Sequence, residues 1–448
     1  MNMTDALVQR IERYLKDEYA ADCGIRLCLK DYTAVLFGGA RALRDRHESY
    51  LERFGRARGE SVVVGCGRSS DSCTAALLNG LSAHVLELDD GHRYGMLHPG
   101  VPIFSALLAA ASAEGIDAEH FFRGAAAGYE AMIRLACAVQ PEHKKRGFHG
   151  SATCGTIGAA VAVAVARGCD SRQLKDAVSA AATSASGLLE MMDDDSELKP
   201  YNCAQSAVSG LLAANVVLCG YKGPEDALGG RRGFIKALNG ELDAAKLEAA
   251  LAMKDCVGTV YRKLYASCRH THPAVEAALK LRQAHPEVVG KIGAVRVQTY
   301  DLAVFGHDNP RPRSIGAAKM STPYSVAVAL LYGLSSIDAF TAPLLDDADV
   351  QRLSAAVTME PDEALSRLTP GVRAAIVTVE TTDGESCACR VDYPKGEPEN
   401  PLTDEEFSEK FRLLLRYANR DETYIRALED ALDSIDDRWQ EYLDLLAK

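Results

Sequence analysis

The spacing of apolar residues predicts that the first 250 or so residues are helical. Between about residues 4 and 253, Ala, Leu, Gly and Ser recur every three or four positions, which is the period of an α-helix. Helices are predicted at 72–88, 100–113, 124–139, 156–167, 176–191 and 203–218. Because these segments are apolar on nearly every side and rich in Ala and Gly, we expect them to pack closely in a bundle.

Beyond about residue 263 the pattern changes. Residues 292–300, 373–381 and 386–393 alternate like half-buried strands, and the turn Thr382-Asp-Gly-Glu separates the last two. Residues 324–332 and 347–357 fit helices, and residues 403–446 are again amphipathic helix. The sequence therefore predicts a mainly α protein: a large all-helical domain (residues 1–262 and 400–448) and a smaller α+β domain (residues 263–399).

The composition is that of an ordinary globular protein, with 448 residues, 47% of them hydrophobic and 25% charged, and a net charge of −12. No apolar run reaches the roughly 18–20 residues that cross a membrane. The N-terminal residues lack the cationic and then apolar pattern of a signal peptide, and the acidic balance disfavours nucleic acid as a partner. We therefore expect a cytoplasmic protein with neither a nucleic-acid nor a membrane partner.

The cysteines predict neither disulfides nor a metal cluster. There are 13 of them, scattered along the chain, and no two have the C-x-x-C spacing of metal and redox sites. We expect most of them to be small buried thiols.

Polar residues that interrupt the apolar helices are the candidates for chemistry. Glu87 and Asp90 are expected to share one face of a helix that ends at Gly91, within a polar segment that runs from His84 to His98. The cationic run Lys-Lys-Arg precedes His149, and Lys199 lies between two Ala-rich helices. Each of these could be an ordinary cap or a solvated charge, but loops that join rigid helices can aim such groups into one cleft.

Two further polar segments lie near the predicted domain boundary, where a cleft is common. The first runs from Tyr261 through Lys263 and Arg269 to His272 and the following Pro, and the second is Lys319-Met-Ser-Thr-Pro-Tyr324. Taken one at a time, these too could be ordinary loop residues.

Several of these segments resemble the MmgE/PrpD family. The resemblance rests on the blocks Glu-Leu-Asp-Asp-Gly-His…His98-Pro-Gly, Gly147-Phe-His149, Lys199-Pro, Arg269-His-Thr-His272-Pro-Ala and Ser321-Thr-Pro-Tyr324, which follow one another in the family's order. The family includes 2-methylcitrate dehydratase, cis-aconitate decarboxylase and iminodisuccinate epimerase. The resemblance implies a helical domain with a smaller α+β lid, a homodimer, and activity with neither a metal nor an organic cofactor.

The resemblance also implies roles for the candidate residues. Members act on small di- or tricarboxylates through carbanion or enediolate-like intermediates, which need cations to hold negative charge and imidazoles to move protons. We expect His98 and His149 to be the acid–base pair, with Glu87 or Asp90 orienting one of them. Tyr324 would donate to a leaving hydroxyl or an oxyanion. The residues expected to bind substrate carboxylates are Lys199, Lys263, Arg269 and His272.

The sequence leaves the reaction open. A lyase is the first hypothesis, either a dehydratase or a decarboxylase, because two of the three known chemistries are lyase reactions. An epimerase of an amino- or imino-dicarboxylate is the second, and a non-catalytic binding protein is a more remote third.

Overall fold

The computed structural model describes residues 2–16, 23–55, 59–192, 196–241 and 243–448. Its first part consists almost entirely of helices: α1 Met3–Ile11, α2 Cys23–Ala42, α3 Arg44–Phe54, α4 Ser72–Val85, α5 Gly100–Glu114, α6 Ala118–Val139, α7 Glu142–Lys145, α8 Gly150–Ala166, α9 Ser171–Ser184, α10 Lys199–Leu218, α11 Phe234–Leu238 and α12 Ala244–Ala252.

Helix α8 lies at the centre of the bundle and is buried along its whole length. It packs against α6 on one side and α10 on the other, and α10 in turn packs against α4. Small residues allow these close approaches: a Cβ atom on Gly128 of α6 would lie 2.8 Å from the carbonyl oxygen of Gly158 in α8. The predicted close packing of Ala- and Gly-rich helices is confirmed.

The strands form short pairs and one larger sheet. Strand β1 (Ser61–Val63) pairs with β2 (Arg68–Ser70), and β3 (Gly91–His92) pairs with β4 (Val260–Tyr261). Strands β5 (Ile292–Thr299), β6 (Val357–Pro361), β7 (Ala375–Thr381) and β8 (Ser386–Val391) form a four-stranded sheet in the order β6-β5-β7-β8. Only the β5–β6 pair of this sheet is parallel.

Further helices surround the sheet and complete the bundle. Those between residues 263 and 399 are α13 His272–Ala284, α14 Asp301–Val304, α15 Ile315–Met320, α16 Thr322–Tyr332, α17 Ala342–Leu345, α18 Ala348–Ala355 and α19 Glu363–Leu368. The C-terminal helices are α20 Asp404–Tyr417, α21 Glu422–Asp433 and α22 Trp439–Leu446.

The C-terminal segment packs against the N-terminal helices. Helix α20 contacts α2, and its Lys410 Nζ donates to Asp31 Oδ1 at 2.6 Å and to the carbonyl oxygen of Leu88 at 2.9 Å. Lys410 therefore ties this segment to the loop that follows α4.

The structure confirms the mainly α fold and corrects three predicted helices. The helix predicted at 176–191 ends at Ser184, and a separate 3-10 turn covers Leu189–Met192. The helix predicted at 72–88 ends at Val85. The helix predicted at 347–357 ends at Ala355, and Val357 begins strand β6, where it pairs with Val295. The pairing partner is 62 residues away along the chain, so the local pattern could not reveal this strand.

Two other predictions can be compared with the described residues. The cysteines whose side chains the structure describes are free thiols, and Cys23 lies outside that set. Within the same ranges, no helix is both long and apolar enough to span a membrane.

Candidate active site

The loop that follows α4 carries a strained, buried carboxylate. Glu87 has a φ of 54°, a left-handed conformation that residues with side chains rarely adopt. Two lysines from distant segments hold its carboxylate: Lys199 Nζ donates to Oε1 at 2.5 Å and Lys263 Nζ donates to Oε2 at 3.2 Å. Glu87 is only 4% exposed, so it fixes both ammonium groups at one buried point.

Two residues further on, Asp89 binds two histidines through one oxygen. His84 Nδ1 lies 2.8 Å and His98 Nδ1 lies 3.1 Å from Asp89 Oδ2, and the two ring centroids are 4.9 Å apart. His98 Nδ1 also lies 2.8 Å from the carbonyl oxygen of Asp90. Both neighbours of that nitrogen are acceptors, so Nδ1 carries the hydrogen and Nε2 is the basic atom of neutral His98.

The two histidines differ in charge. Burial lowers the pKa of His84, but the Asp89 carboxylate outweighs burial and, with further help from Glu87, raises that pKa to about 10. For His98, burial dominates and the pKa stays below its ordinary value although Asp89 opposes the shift. At neutral pH the site therefore holds one imidazolium and one neutral imidazole beside the same carboxylate.

His149 is a second neutral imidazole, at the N-cap of α8. Burial, followed by the positive charges of Lys199 and His84, holds its pKa well below the ordinary value. Its Nδ1 atom is buried and has no hydrogen-bond partner among the described residues. A buried, unpaired nitrogen is costly unless a ligand uses it, so His149 is suited to contact a substrate.

Two more lysines border the same cluster. Lys319 Nζ donates to the carbonyl oxygen of Val85 at 2.8 Å, and burial lowers the pKa of Lys319 to about 8. Burial also lowers the pKa of Lys144 to about 8, and its Nζ lies 3.3 Å from His270 Nε2. Both lysines are therefore mainly protonated at neutral pH.

The cluster carries an excess of positive charge. The pKa values of Glu87 and Asp89 are held well below their ordinary range, because the neighbouring cations outweigh burial. Five protonated groups interact electrostatically with Glu87 or with Lys199, and these are His84, Lys144, Lys199, Lys263 and Lys319. A buried excess of cations over two carboxylates favours an anionic ligand.

The side chains of two sequence-predicted catalytic residues bind other parts of the protein. The Asp90 carboxylate accepts from Tyr129 Oη at 2.7 Å and from the Gly100 backbone N–H at 3.0 Å, so it supports the start of α5 and does not orient a histidine. The Tyr324 hydroxyl donates to the carbonyl oxygen of Ala339 at 2.9 Å. That bond occupies the proton that Tyr324 was expected to offer to a substrate.

Arg269 and His272 also have protein partners. Arg269 Nε donates to Glu397 Oε1 at 2.5 Å, and Arg93 Nη1 donates to the other oxygen of the same carboxylate at 2.9 Å. His272 Nε2 lies 3.1 Å from the carbonyl oxygen of Ser267. Glu397 thus occupies part of the Arg269 guanidinium, but Arg269 Nη1 and His272 Nδ1 are both buried without a partner among the described residues, so the predicted carboxylate-binding roles of both residues stay predictions.

Within the described ranges, His84, Asp89 and His98 could offer metal-ligand atoms that lie within 4.8 Å of one another. A divalent cation would meet two Nδ1 atoms that donate to Asp89. It would also lie close to Lys263, whose Nζ is 3.7 Å from Asp89 Oδ1. This arrangement therefore favours an ion-pair network over a metal site.

A cavity of about 540 Å3 reaches the cluster from the surface, and its polar end includes Glu87, Lys199 and Lys319. The remaining wall is mostly apolar. The apolar residues on it include Leu43, Leu78, Leu81, Val85, Met191, Met192, Ile315 and Met320.

Sequence reasoning gave no role to His84, Asp89 or Lys319, although all three lie in polar segments that it singled out. His84 resembled a buried residue of an apolar helix, and Asp89 was set aside in favour of Glu87 and Asp90, which share a helical spacing. Once α4 ends at Val85, the helical spacing of Glu87 and Asp90 no longer applies, and Asp89 takes the orienting position. Lys319 lies near the predicted Ser321-Thr-Pro-Tyr324 block, but nothing local to it indicates a contact with Val85.

Comparison with known proteins identifies related sequences. The sequence model of the MmgE/PrpD N-terminal domain matches residues 13–246, and that of the MmgE/PrpD C-terminal domain matches residues 265–434.

Three named relatives cover most of the chain. The cis-aconitate decarboxylase-like protein oryM of Aspergillus oryzae is 29% identical over 411 residues, which are 85% of this chain and 84% of the relative. A cis-aconitate decarboxylase of Aspergillus terreus is 27% identical, over 84% of this chain and 81% of the relative. The human cis-aconitate decarboxylase is 24% identical, over 75% of this chain and 71% of the relative.

Proposed function

Because this chain belongs to the MmgE/PrpD family, we propose that it is a carboxy-lyase that removes CO2 from a small polycarboxylate, with cis-aconitate as the first substrate to test. The similarity to a cis-aconitate decarboxylase and to a cis-aconitate decarboxylase-like protein supports loss of carboxylate over loss of water. The observation that carries the proposal is the buried cationic cluster around Glu87 and Lys199, which is suited to a substrate with two or three negative charges.

Decarboxylation requires charge stabilisation at a fixed place. When the C–C bond to the departing carboxylate breaks, its electron pair stays on the substrate and spreads into a neighbouring carboxylate. Lys199, Lys263 and Lys319 would bind the carboxylates that remain and stabilise this added charge. The departing group becomes neutral CO2, for which the apolar wall of the cavity is a suitable surface.

The reaction ends with one proton added to carbon, and we assign this step to His98 and His149. Both are neutral in the free protein because burial lowers their pKa values. A polyanionic substrate next to them raises those pKa values, so substrate binding brings a proton into the site. The imidazolium can then return that proton to the substrate.

The remaining expectations from the resemblance are also proposals. We infer that the protein acts in the cytoplasm, as a homodimer, without a metal or an organic cofactor. Light scattering of the purified protein tests the dimer, and activity after treatment with EDTA tests the need for a metal.

Proton NMR in deuterium oxide tests the proposed reaction. EDTA-treated protein with cis-aconitate should give a new unsaturated dicarboxylate and CO2, whereas 2-methylcitrate and citrate test loss of water and iminodisuccinate tests epimerisation. His149→Asn should lower the rate at least about 100-fold, which is the lower end of what a general acid–base group contributes. His120→Asn, which changes a histidine 41% exposed, is the matched control. Near-normal turnover by folded His149→Asn protein would show that the role assigned to His149 is wrong.

A further inference from the structure

Cys268 differs from the other buried cysteines because it has an imidazole partner. It lies in the loop between β4 and α13, where its backbone N–H donates to the carbonyl oxygen of Lys319 at 2.9 Å. Its Sγ atom lies 3.1 Å from His307 Nε2, and both residues are buried. The mechanism proposed above uses neither of them.

The orientation of His307 is fixed by a third group. His307 Nδ1 lies 2.9 Å from the carbonyl oxygen of Phe305, so that nitrogen carries a hydrogen and donates it. Nε2 is then free to accept the thiol hydrogen of Cys268, or to donate to the thiolate once the ring is protonated. A thiol, a base and a group that orients the base form the arrangement by which proteins activate cysteine.

The surroundings favour the thiolate form. Burial raises the pKa of Cys268, but His307 and then Lys199 outweigh burial and hold it well below the ordinary value. Cys154 shows the effect of burial without such partners, since its pKa rises to about 12. Cys268 also interacts electrostatically with Lys263 and Lys144.

Other ionisable groups around the pair do not remove its proton. The ring of His270 lies 5.0 Å from that of His307, and its Nδ1 lies 2.7 Å from Tyr300 Oη. Burial, followed by the charge of Lys144, keeps the pKa of His270 well below its ordinary value, so His270 is neutral. The thiol and imidazole therefore share one transferable proton next to the lysines that are proposed to bind substrate.

We propose that Cys268 and His307 form a second proton-transfer pair, which removes and returns a carbon-bound proton next to a substrate carboxylate. The protein would thus catalyse hydrogen exchange at that carbon as well as loss of CO2. This inference rests on the proposed function in one respect, namely that Lys199 and Lys263 bind a polycarboxylate.

The exchange step needs no co-reactant. The C–H bond breaks and an S–H bond forms on Cys268, while the electron pair stays on the substrate as an enediolate whose charge Lys199 and Lys263 stabilise. In the return step the S–H bond breaks and a C–H bond forms. His307 pairs with the free thiolate before the first step and after the second, and exchange of the thiol hydrogen with solvent between the two steps introduces deuterium.

The saturated tricarboxylate propane-1,2,3-tricarboxylate separates this activity from decarboxylation. It has carbon-bound hydrogens next to its carboxylates. It lacks the double bond over which the electron pair of the broken C–C bond would spread after loss of CO2. Incubation in deuterium oxide should introduce deuterium into this compound, as detected by NMR and mass spectrometry. Cys268→Ala and Cys268→Ser should each slow the incorporation at least tenfold, whereas Cys219→Ala, which changes an exposed cysteine, should not.

A second measurement tests the pair without any turnover. Iodoacetamide at pH 6.5 should alkylate Cys268 at least tenfold faster than Cys219 when peptides are compared by mass spectrometry, because the thiolate is the reactive form. His307→Asn should remove this difference, and propane-1,2,3-tricarboxylate should protect Cys268 from the reagent.

The outcomes distinguish this inference from the proposed function. Deuterium exchange without loss of CO2 from cis-aconitate would support the pair and contradict the carboxy-lyase. Loss of CO2 with no exchange in the saturated compound would overturn the inference and leave the carboxy-lyase in place. Exchange at an unchanged rate in folded Cys268→Ala protein, or alkylation of Cys268 no faster than of Cys219, would also overturn it.

Discussion

Replacing Lys199 by methionine tests the central interaction of the site. Methionine keeps an unbranched side chain of similar length but removes the ammonium group that donates to Glu87 at 2.5 Å. If Lys199 also binds a substrate carboxylate, the variant loses a hydrogen bond between charged groups, which contributes about 1.5–3 kcal/mol. That loss corresponds to a decrease in kcat/KM of about 10- to 150-fold.

The same substitution should lower the stability of the folded protein. The Lys199 side chain is 12% exposed, so its removal leaves Glu87 with less compensation in a buried place. Breaking a buried ion pair costs about 3–5 kcal/mol when one charge is left alone. Because Lys263 stays 3.2 Å from Glu87, we expect a smaller loss, of about 1.5–3 kcal/mol in the free energy of unfolding.

Steady-state kinetics with cis-aconitate and urea unfolding measure the two effects separately. The matched control is Lys145→Met, which removes a lysine of helix α7 that is 62% exposed and whose Nζ lies 3.4 Å from Glu142 Oε1. It should change both quantities by little, as exposed ion pairs do. If Lys199→Met kept kcat/KM within twofold of the unmodified protein, Lys199 would not bind the substrate.

Three further predictions concern the histidines and the cavity. Asp89→Asn should lower the pKa of His84 from about 10 towards its ordinary value, because the carboxylate that raises this pKa is lost. NMR titration of the imidazole protons measures the change. A His84 pKa that stays near 10 in the variant would assign the shift to another group. The pKa of His47 is about 4 in the folded protein, below its unfolded value of 6.5, so its contribution to stability is present above pH 6.5 and is lost towards pH 4. The free energy of unfolding should fall by at most about 3 kcal/mol over this pH range. His47→Leu should remove this pH dependence from urea unfolding measured between pH 4 and pH 6.5. A variant with the same pH dependence as the unmodified protein would contradict the prediction. Finally, Leu81 lines the apolar wall of the cavity, so kcat/KM should rise about fourfold for each methylene added to an alkyl-substituted substrate. Leu81→Trp should abolish this gain without changing kcat/KM for cis-aconitate. Equal gains in both proteins would show that the alkyl group binds elsewhere.

The sequence predicted those features that depend on local periodicity. The strand predicted at 292–300 is β5, Ile292–Thr299, and the turn Thr382-Asp-Gly-Glu does join β7 and β8 as an antiparallel pair. Glycine suits this turn because Gly384 has a φ of 91°. Such elements follow from the period of apolar positions and from turn chemistry, and neither requires knowledge of distant contacts.

The candidate site was only partly predictable because distant contacts define it. His149 and Lys199 stood out as polar residues at the ends of apolar helices, and Lys263 stood out in the polar segment near the domain boundary. The pairing of Cys268 with His307 joins positions 39 residues apart, and no spacing in the sequence indicates it. A cysteine becomes a candidate for chemistry only when the fold gives it an imidazole partner, and without one it is indistinguishable from a small apolar residue.

The contrast between His84 and His98 decides which histidine can act in the reaction. Both Nδ1 atoms lie within 3.1 Å of one Asp89 oxygen, so a second protonation would put two imidazolium rings 4.9 Å apart beside Lys263, with one carboxylate between them. The cost of that arrangement keeps one ring neutral, and the shorter contact of His84 with Asp89 keeps the other ring protonated in spite of its burial. A group whose pKa is about 10 stays protonated throughout turnover at neutral pH, so His84 holds Asp89 in place. His98 has a pKa below the ordinary value and can take up a proton with the substrate and give it back, so proton transfer falls to His98 and His149.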